Sequence, residues 1–288
     1  MANHLPPWFT DAVAQPAENG RVSVRDCPIA YRCWGNPGHP GLLLIHGFNA
    51  HSHWWDFIAP AFAPDYRVVA LDCSGAGDSG HREHYDLDTF ADEVIAVAEA
   101  AGMGAKKMVV VGHSFGGGIA LRTAARFPDL VKAMISVDAK LIALPGEGRT
   151  RSTMGFLPHA IYPDAASASA AFRVIPPQRC PNQFLIDHIA RHSVREVEDG
   201  WTLKADPALL DHFRFEDQTD ALLNLATGFG MISGTLSAII TQEVIDYLQY
   251  VAPRGSPFTA IPGAAHHVFL DQPLAFIDVL RDMLAHWP

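Results

Sequence analysis

Four short apolar runs alternate with helix-like segments over the first half of the chain. The runs are Leu42–Ile45, Arg67–Leu71, Met108–Val111 and Ala133–Val137. Runs of this length, bounded by turn residues, predict strands buried on both faces. Between them, Trp55–Phe62, Leu87–Ala101 and Phe115–Phe127 carry helical patterning. This alternation predicts the α/β class, a mostly parallel sheet with helices on both faces. Ahead of it, residues 20–35 predict two short antiparallel strands around Asp26-Cys27-Pro28. The series stops after Asp138. Residues 139–224 read as mostly helix and loop, broken by Pro145, Pro158, Pro163, Pro176-Pro177 and Pro181. Strand patterning returns at Leu225–Phe229 and Phe258–Ile261, with helices at Leu236–Val251 and Leu274–His286. The expected layout is a core of residues 1–138 and 225–288 interrupted by an insertion, 139–224.

Composition narrows the classes. Of 288 residues, 49% are hydrophobic and 18% charged, as in a globular chain with a large core. The net charge of −10 and the lack of any basic tract argue against nucleic acid and anionic membrane as partners. The four cysteines, Cys27, Cys33, Cys73 and Cys180, have no C-x-x-C spacing and are expected to be free thiols in a reducing compartment. Met1–Asn19 has no apolar run of signal-peptide type, and no stretch reaches membrane-spanning length. The expected location is the cytoplasm.

The stretch Gly112-His113-Ser114-Phe115-Gly116 carries the most chemistry. It follows the apolar run ending at Val111 and precedes the helix-like run from Phe115. A serine at such a strand–turn–helix junction stands in a strained elbow with its hydroxyl exposed above the sheet. Side chains at 112 or 116 are expected to collide with the neighbouring strand or helix. A serine hydroxyl is a weak nucleophile and needs a base, itself oriented by an acid. Ile261-Pro262-Gly263-Ala264-Ala265-His266-His267 puts two histidines just past the last predicted strand, at the sheet edge that also carries Ser114.

Together these segments resemble the α/β-hydrolase superfamily over nearly the whole chain, the insertion excepted. His46-Gly47-Phe48 after an apolar strand is similar to the family's oxyanion loop. Asp72-Cys73-Ser74-Gly75-Ala76-Gly77-Asp78-Ser79 matches its D-x-x-G-x-G-x-S turn, and Gly112–Gly116 its nucleophile elbow. His266, followed by Val268-Phe269-Leu270-Asp271-Gln272-Pro273, resembles the catalytic-histidine segment and points to His266 over His267. The resemblance implies Ser114 as nucleophile, His266 as base, and the backbone N–H groups of Phe48 and Phe115 as the oxyanion hole. The family's usual acid position is occupied by Ser233, in Phe229-Gly230-Met231-Ile232-Ser233-Gly234. Some members carry the acid at the preceding strand end, and Asp138 stands there. Asp138 is the expected acid; the alternative is that it only caps the entry to the insertion.

Other residues have blander readings. His46 and His113 are expected to support the loops that hold them. His51 and His53 form an H-x-H pair, with His81 and His84 beyond, but H-E-x-x-H is absent and a zinc site needs three or four convergent ligands. No metal and no cofactor are expected, and Gly75-x-Gly77 is not a dinucleotide fingerprint. Trp54, Trp201 and His267 are candidates to line the substrate site. Glu216 and Asp217 read as a solvated face. The insertion carries Met154, Phe156, Leu157, Ile161, Tyr162, Phe172, Phe184, Trp201, Phe213 and Phe215. It is expected either to lie over Ser114 as an apolar lid or to pack into a small core of its own. The expected activity is hydrolysis of a small acyl substrate, apolar or aromatic: a carboxylic ester first, then a lactone or thioester. The alternatives are carbon–carbon bond hydrolysis of ring-cleavage products, or a ligand receptor without catalysis. Haloalkane dehalogenases and epoxide hydrolases of the family carry Asp where Ser114 stands, which disfavours both.

Overall fold

The computed structural model describes residues 5–103, 107–144, 160–214 and 216–287. Met154, Phe156, Leu157 and Phe215, with Pro145 and Pro158, lie outside the described residues. The strands are β1 (Glu18–Val24), β2 (Cys27–Trp34), β3 (Gly41–Ile45), β4 (Arg67–Leu71), β5 (Met108–His113), β6 (Val131–Val137), β7 (Val194–Val197), β8 (Gly200–Leu203), β9 (Gly228–Gly234) and β10 (Phe258–Ile261). The helices are α1 (Pro7–Val13), α2 (Leu87–Ala100), α3 (Phe115–Arg126), α4 (Ala165–Ala171), α5 (Gln183–His192), α6 (Leu209–His212), α7 (Thr219–Leu223), α8 (Gln242–Val251), α9 (Val268–Asp271) and α10 (Pro273–Leu284).

Eight strands form one sheet in the order β1-β2-β4-β3-β5-β6-β9-β10. From β4 to β10 all pairs are parallel, whereas β2 runs antiparallel to both β1 and β4. The central strands are apolar throughout because both faces are covered. Along β3, Leu43 and Ile45 join one buried cluster while Leu42 and Leu44 join the other, the alternation expected of opposite faces. Phe90 and Val94 of α2, Ile119 of α3 and Val244 of α8 fill the first cluster. Phe9 of α1, Ile189 of α5 and Phe276 and Leu280 of α10 fill the second. Parallel strands with helices on both faces put every strand's C-terminal end along one edge, where ligands bind in such sheets.

The insertion differs from the expectation of helix and loop. It contains a hairpin, β7–β8, paired from Val194↔Leu203 to Val197↔Gly200. Its apolar residues also join the main clusters: Leu209, Leu210, Phe213 and Leu222 enter the first, and Phe172, Leu185 and Ile189 the second. Two turns of 3-10 helix, Ser52–Trp55 and Ala59–Ala61, replace the helix expected over Trp55–Phe62, and Pro60 sits in the second. Helix α8 starts at Gln242, not Leu236, because the Thr241 side chain accepts from the Val244 N–H and caps it.

Candidate active site

Ser114 follows β5 with φ +53° and ψ −119°, a strained backbone for a residue with a side chain. Its neighbours hold it there. The Ser114 N–H donates to Val137 O at 2.9 Å, and its carbonyl accepts from Gly117 N–H at 2.9 Å. The turn is too tight for side chains on either flank. A Cβ at residue 112 would lie 2.1 Å from Gly116 O, and one at 116 would lie 2.5 Å from His46 O.

Three side chains from distant strand ends form one relay. His266 Nε2 stands 2.9 Å from Ser114 Oγ, and His266 Nδ1 stands 2.8 Å from Asp138 Oδ1. The geometry fits one tautomer: Nδ1–H donates to the carboxylate and Nε2 accepts from the hydroxyl. Asp138 closes β6 in the left-handed region, φ +46°, and its N–H donates to Ile232 O at 2.8 Å across to β9. The carboxylate is fully buried and its charge is met on all sides. Oδ1 also accepts from Ser237 Oγ–H at 2.7 Å, and Oδ2 from Gly234 N–H at 3.0 Å. Ser233 is buried beside it, on a strand whose following loop supplies Asp138 with donors instead of supplying an acid.

The histidine loop is braced from several sides. Asp271 Oδ2 accepts from Ala265 N–H at 2.7 Å, which gives a physical reason for the spacing between His266 and that acid. Gln178, from the insertion, donates to the same oxygen at 2.9 Å and accepts from the His267 N–H at 2.9 Å. His113 Nε2–H donates to His266 O at 3.1 Å. His46 Nδ1–H donates to Gly47 O at 2.7 Å, and its Nε2 accepts from Cys73 N–H at 3.1 Å, tying the 46–48 loop to the end of β4. Burial pushes the His46 and His113 rings below the usual imidazole range. Both histidines therefore serve as neutral supports.

Phe115 is the first residue of α3, where a backbone N–H has no partner inside the helix. Among the described residues neither the Phe115 nor the Phe48 N–H is taken up by another group. The two rings meet edge to face at 6.3 Å, and Phe115 meets Phe213 of the insertion at 5.1 Å. The other expected lining residues are held by contacts of their own, His267 against the His266 ring at 4.9 Å. Trp54 is buried against His267 and Phe269. His267 is buried with Nε2–H donating to Pro176 O at 3.3 Å, and burial beside His266 takes its pKa down to about 3. Trp201 bridges to Tyr162 on the second cluster. Glu216 stands 3.5 Å from Arg122 and 3.3 Å from Arg214, so it carries ion pairs. Sequence reasoning missed Ser237, Gly234 and Gln178, because their roles are set by loops that meet only in three dimensions.

A family model described as the alpha/beta hydrolase fold matches residues 40–167. Pimeloyl-[acyl-carrier protein] methyl ester esterase of Neisseria meningitidis is 27% identical over 247 residues, covering 84% of this chain and 93% of that one. Human epoxide hydrolase 4 is 34% identical over 122 residues, so the match spans 41% of this chain and only 33% of that protein. Among solved structures, the thioesterase domain from the curacin biosynthetic pathway superposes with a TM-score of 0.76 at 22% identity, covering 93% of this chain and all of that one. The chain has the α/β-hydrolase fold, and it matches that family's model over residues 40–167. No helix among the described residues is long and apolar enough to cross a membrane.

Proposed function

We propose that this protein is a serine hydrolase that cleaves a carboxylic ester through an acyl-enzyme on Ser114. The carrying observation is the relay of Ser114 Oγ, His266 and Asp138, with contacts of 2.9 and 2.8 Å. In this reading His266 Nε2 takes the Ser114 proton as Oγ attacks the ester carbonyl. The Phe48 and Phe115 N–H groups hold the negative oxygen, each donor contributing about 10²–10³ in rate. His266 then returns the proton to the leaving alkoxide. In the second half a water gives its proton to Nε2 and attacks the acyl carbon; the bond from that carbon to Oγ then breaks, Nε2 returns the proton to Ser114 Oγ, and the acid leaves. Asp138 keeps the ring in the required tautomer and offsets its positive charge. No step calls for a cofactor.

Esters are preferred because a relative of nearly full coverage carries the name of a methyl ester esterase. The epoxide hydrolase match weighs less, because it is local; the family resemblance also implies a carboxylate in epoxide hydrolases where this chain has the Ser114 hydroxyl. We infer that the acyl group is apolar, since the ring of Phe115, the residue after Ser114, meets both Phe48 and Phe213. The described residues of the insertion, 139–144, 160–214 and 216–224, act in this reading as a lid over the C-terminal sheet edge. Two contacts support it: Tyr85 O–H donates to Asp206 at 2.6 Å, and Arg214 N–H donates to Tyr85 O at 2.8 Å. The test is turnover of short aliphatic and aromatic esters by wild type and Ser114→Ala. A loss of about 10⁶-fold in kcat is expected for the variant, and full retention would refute the reading.

A further inference from the structure

Away from the Ser114 relay, four side chains from two distant segments converge. His53 lies in the 3-10 turn Ser52–Trp55, and Asp56 caps its end. Residues three apart in such a turn eclipse one another. His188 and His192 lie four apart on α5, on one helix face. The two pairs meet across the junction of core and insertion. His53 Nδ1–H donates to Asp56 Oδ2 at 2.7 Å, and His188 Nε2–H donates to the same oxygen at 3.0 Å. The His192 ring stacks on His53 at 3.7 Å, 5° from parallel. One ligand-capable atom from each of the four lies within 4.8 Å of all the others.

Satisfying one buried carboxylate does not require this arrangement. Arg32 already donates to Asp56 Oδ1 at 3.1 Å, and one imidazole would serve the other oxygen. His192 instead has no hydrogen-bond partner among the described residues, and its ring is brought up to the same point.

We propose that His53, Asp56, His188 and His192 bind one divalent transition-metal ion of the zinc, cobalt or nickel type. Three imidazoles and a carboxylate are the donor set of such ions, whereas calcium and magnesium take oxygen shells. Ligand bonds of about 2.0–2.1 Å put tetrahedral donors roughly 3.3 Å apart, so the cluster needs to contract by at most about 1.5 Å. The other features of a metal site are present. Arg32 holds the distal oxygen of Asp56 as an outer partner. His53 also lines a cleft of about 580 Å³, together with Arg32, Asp72 and Asp78, so one edge of the cluster faces solvent. The ion clips α5 of the insertion to the turn that follows the 46–50 loop.

The test is titration of the metal-stripped full chain with zinc by calorimetry, with cobalt(II) as a spectroscopic probe. One equivalent of tight binding, a tetrahedral cobalt spectrum and a rise in Tm are expected. In His188→Gln/His192→Gln the affinity should fall by more than about 100-fold, since loss of even an outer partner costs 10–100-fold. Should that variant not fold, His192→Asn gives up no hydrogen bond and serves in its place. His113, His266 and His267 form a second group of potential ligands within the same distance, so His267→Gln is run alongside. Binding that survives the α5 variants but is lost in His267→Gln overturns the proposal, as does a wild-type chain that binds no ion.

Discussion

Asp138 Oδ1 lies 2.8 Å from His266 Nδ1 although the two residues stand 128 positions apart and the acid closes β6, not β9. An acid at this strand end reaches the imidazole because β6 and β9 are neighbours, in register from Ala133↔Gly228 to Val137↔Ile232. Asp138→Asn is expected to lower kcat for an ester by about 10⁴-fold, as the ring loses its preferred tautomer. Ser233→Ala is expected to leave kcat within a factor of about three, because its hydroxyl donates to neither Asp138 nor His266. Steady-state kinetics on the two variants side by side checks both; near-wild-type turnover of Asp138→Asn would remove the assignment.

Ser237 donates to the same carboxylate oxygen as His266, at 2.7 Å, while its Oγ also accepts from the Ile239 and Ile240 N–H groups. A hydrogen bond to a charged group is worth about 1.5–3 kcal/mol. Ser237→Ala is therefore expected to lower kcat by about 10-fold or more with little change in KM. An unchanged kcat would mean that Gly234 and His266 alone orient Asp138.

The two core layers were legible because buried parallel strands are apolar at every position, as in Leu42–Ile45. The elbow was legible because its glycines answer to backbone atoms two to three ångströms away, a constraint written into one short stretch. Strand β9 was misplaced by several residues, toward Leu225–Phe229. Its glycines make room for α10 and the residues that follow it: a Cβ at 228 would lie 2.5 Å from Trp287, and one at 230 would lie 2.7 Å from Met283. The β7–β8 hairpin had little signal: it has four residues a side around Glu198-Asp199, and Val194-Arg195-Glu196-Val197 does not alternate. His188 and His192 carried no message until the fold brought α5 against the 52–56 turn.

Stability should fall in mild acid. Burial, reinforced by neighbouring imidazoles, holds His113 well below the usual range and takes His267 down to about 3. In the unfolded chain both protonate near pH 6.5. Between about pH 6.5 and about 3 the unfolded state thus binds more protons, so stability rises with pH across that window. The contribution is complete above the upper limit and is lost as pH falls toward the lower one. Urea unfolding of the metal-free chain should show a declining midpoint as pH falls from about 7 to about 5, at up to about 1.4 kcal/mol per pH unit for each ring. His267→Gln should flatten that slope; a midpoint independent of pH would contradict the buried neutral rings.

Gly116→Ala is expected to be severe. Its Cβ would meet two backbone oxygens, His46 O at 2.5 Å and Ile45 O at 2.7 Å, neither able to rotate away. Relief requires α3 to move off β3, at a cost of about 3 kcal/mol or more. Chemical denaturation reads the loss, and a change below about 1 kcal/mol would mean that the elbow is looser than this packing implies.

The most direct measurement is covalent labelling with a fluorophosphonate, read by intact mass and peptide mapping. The central claim is that His266 makes the Ser114 hydroxyl a nucleophile across their 2.9 Å contact. The account predicts a single adduct on Ser114 in wild type, none in Ser114→Ala, and loss of labelling in a folded His266→Ala variant. Wild-type protein that takes up no label, or His266→Ala that labels at the wild-type rate, would contradict it.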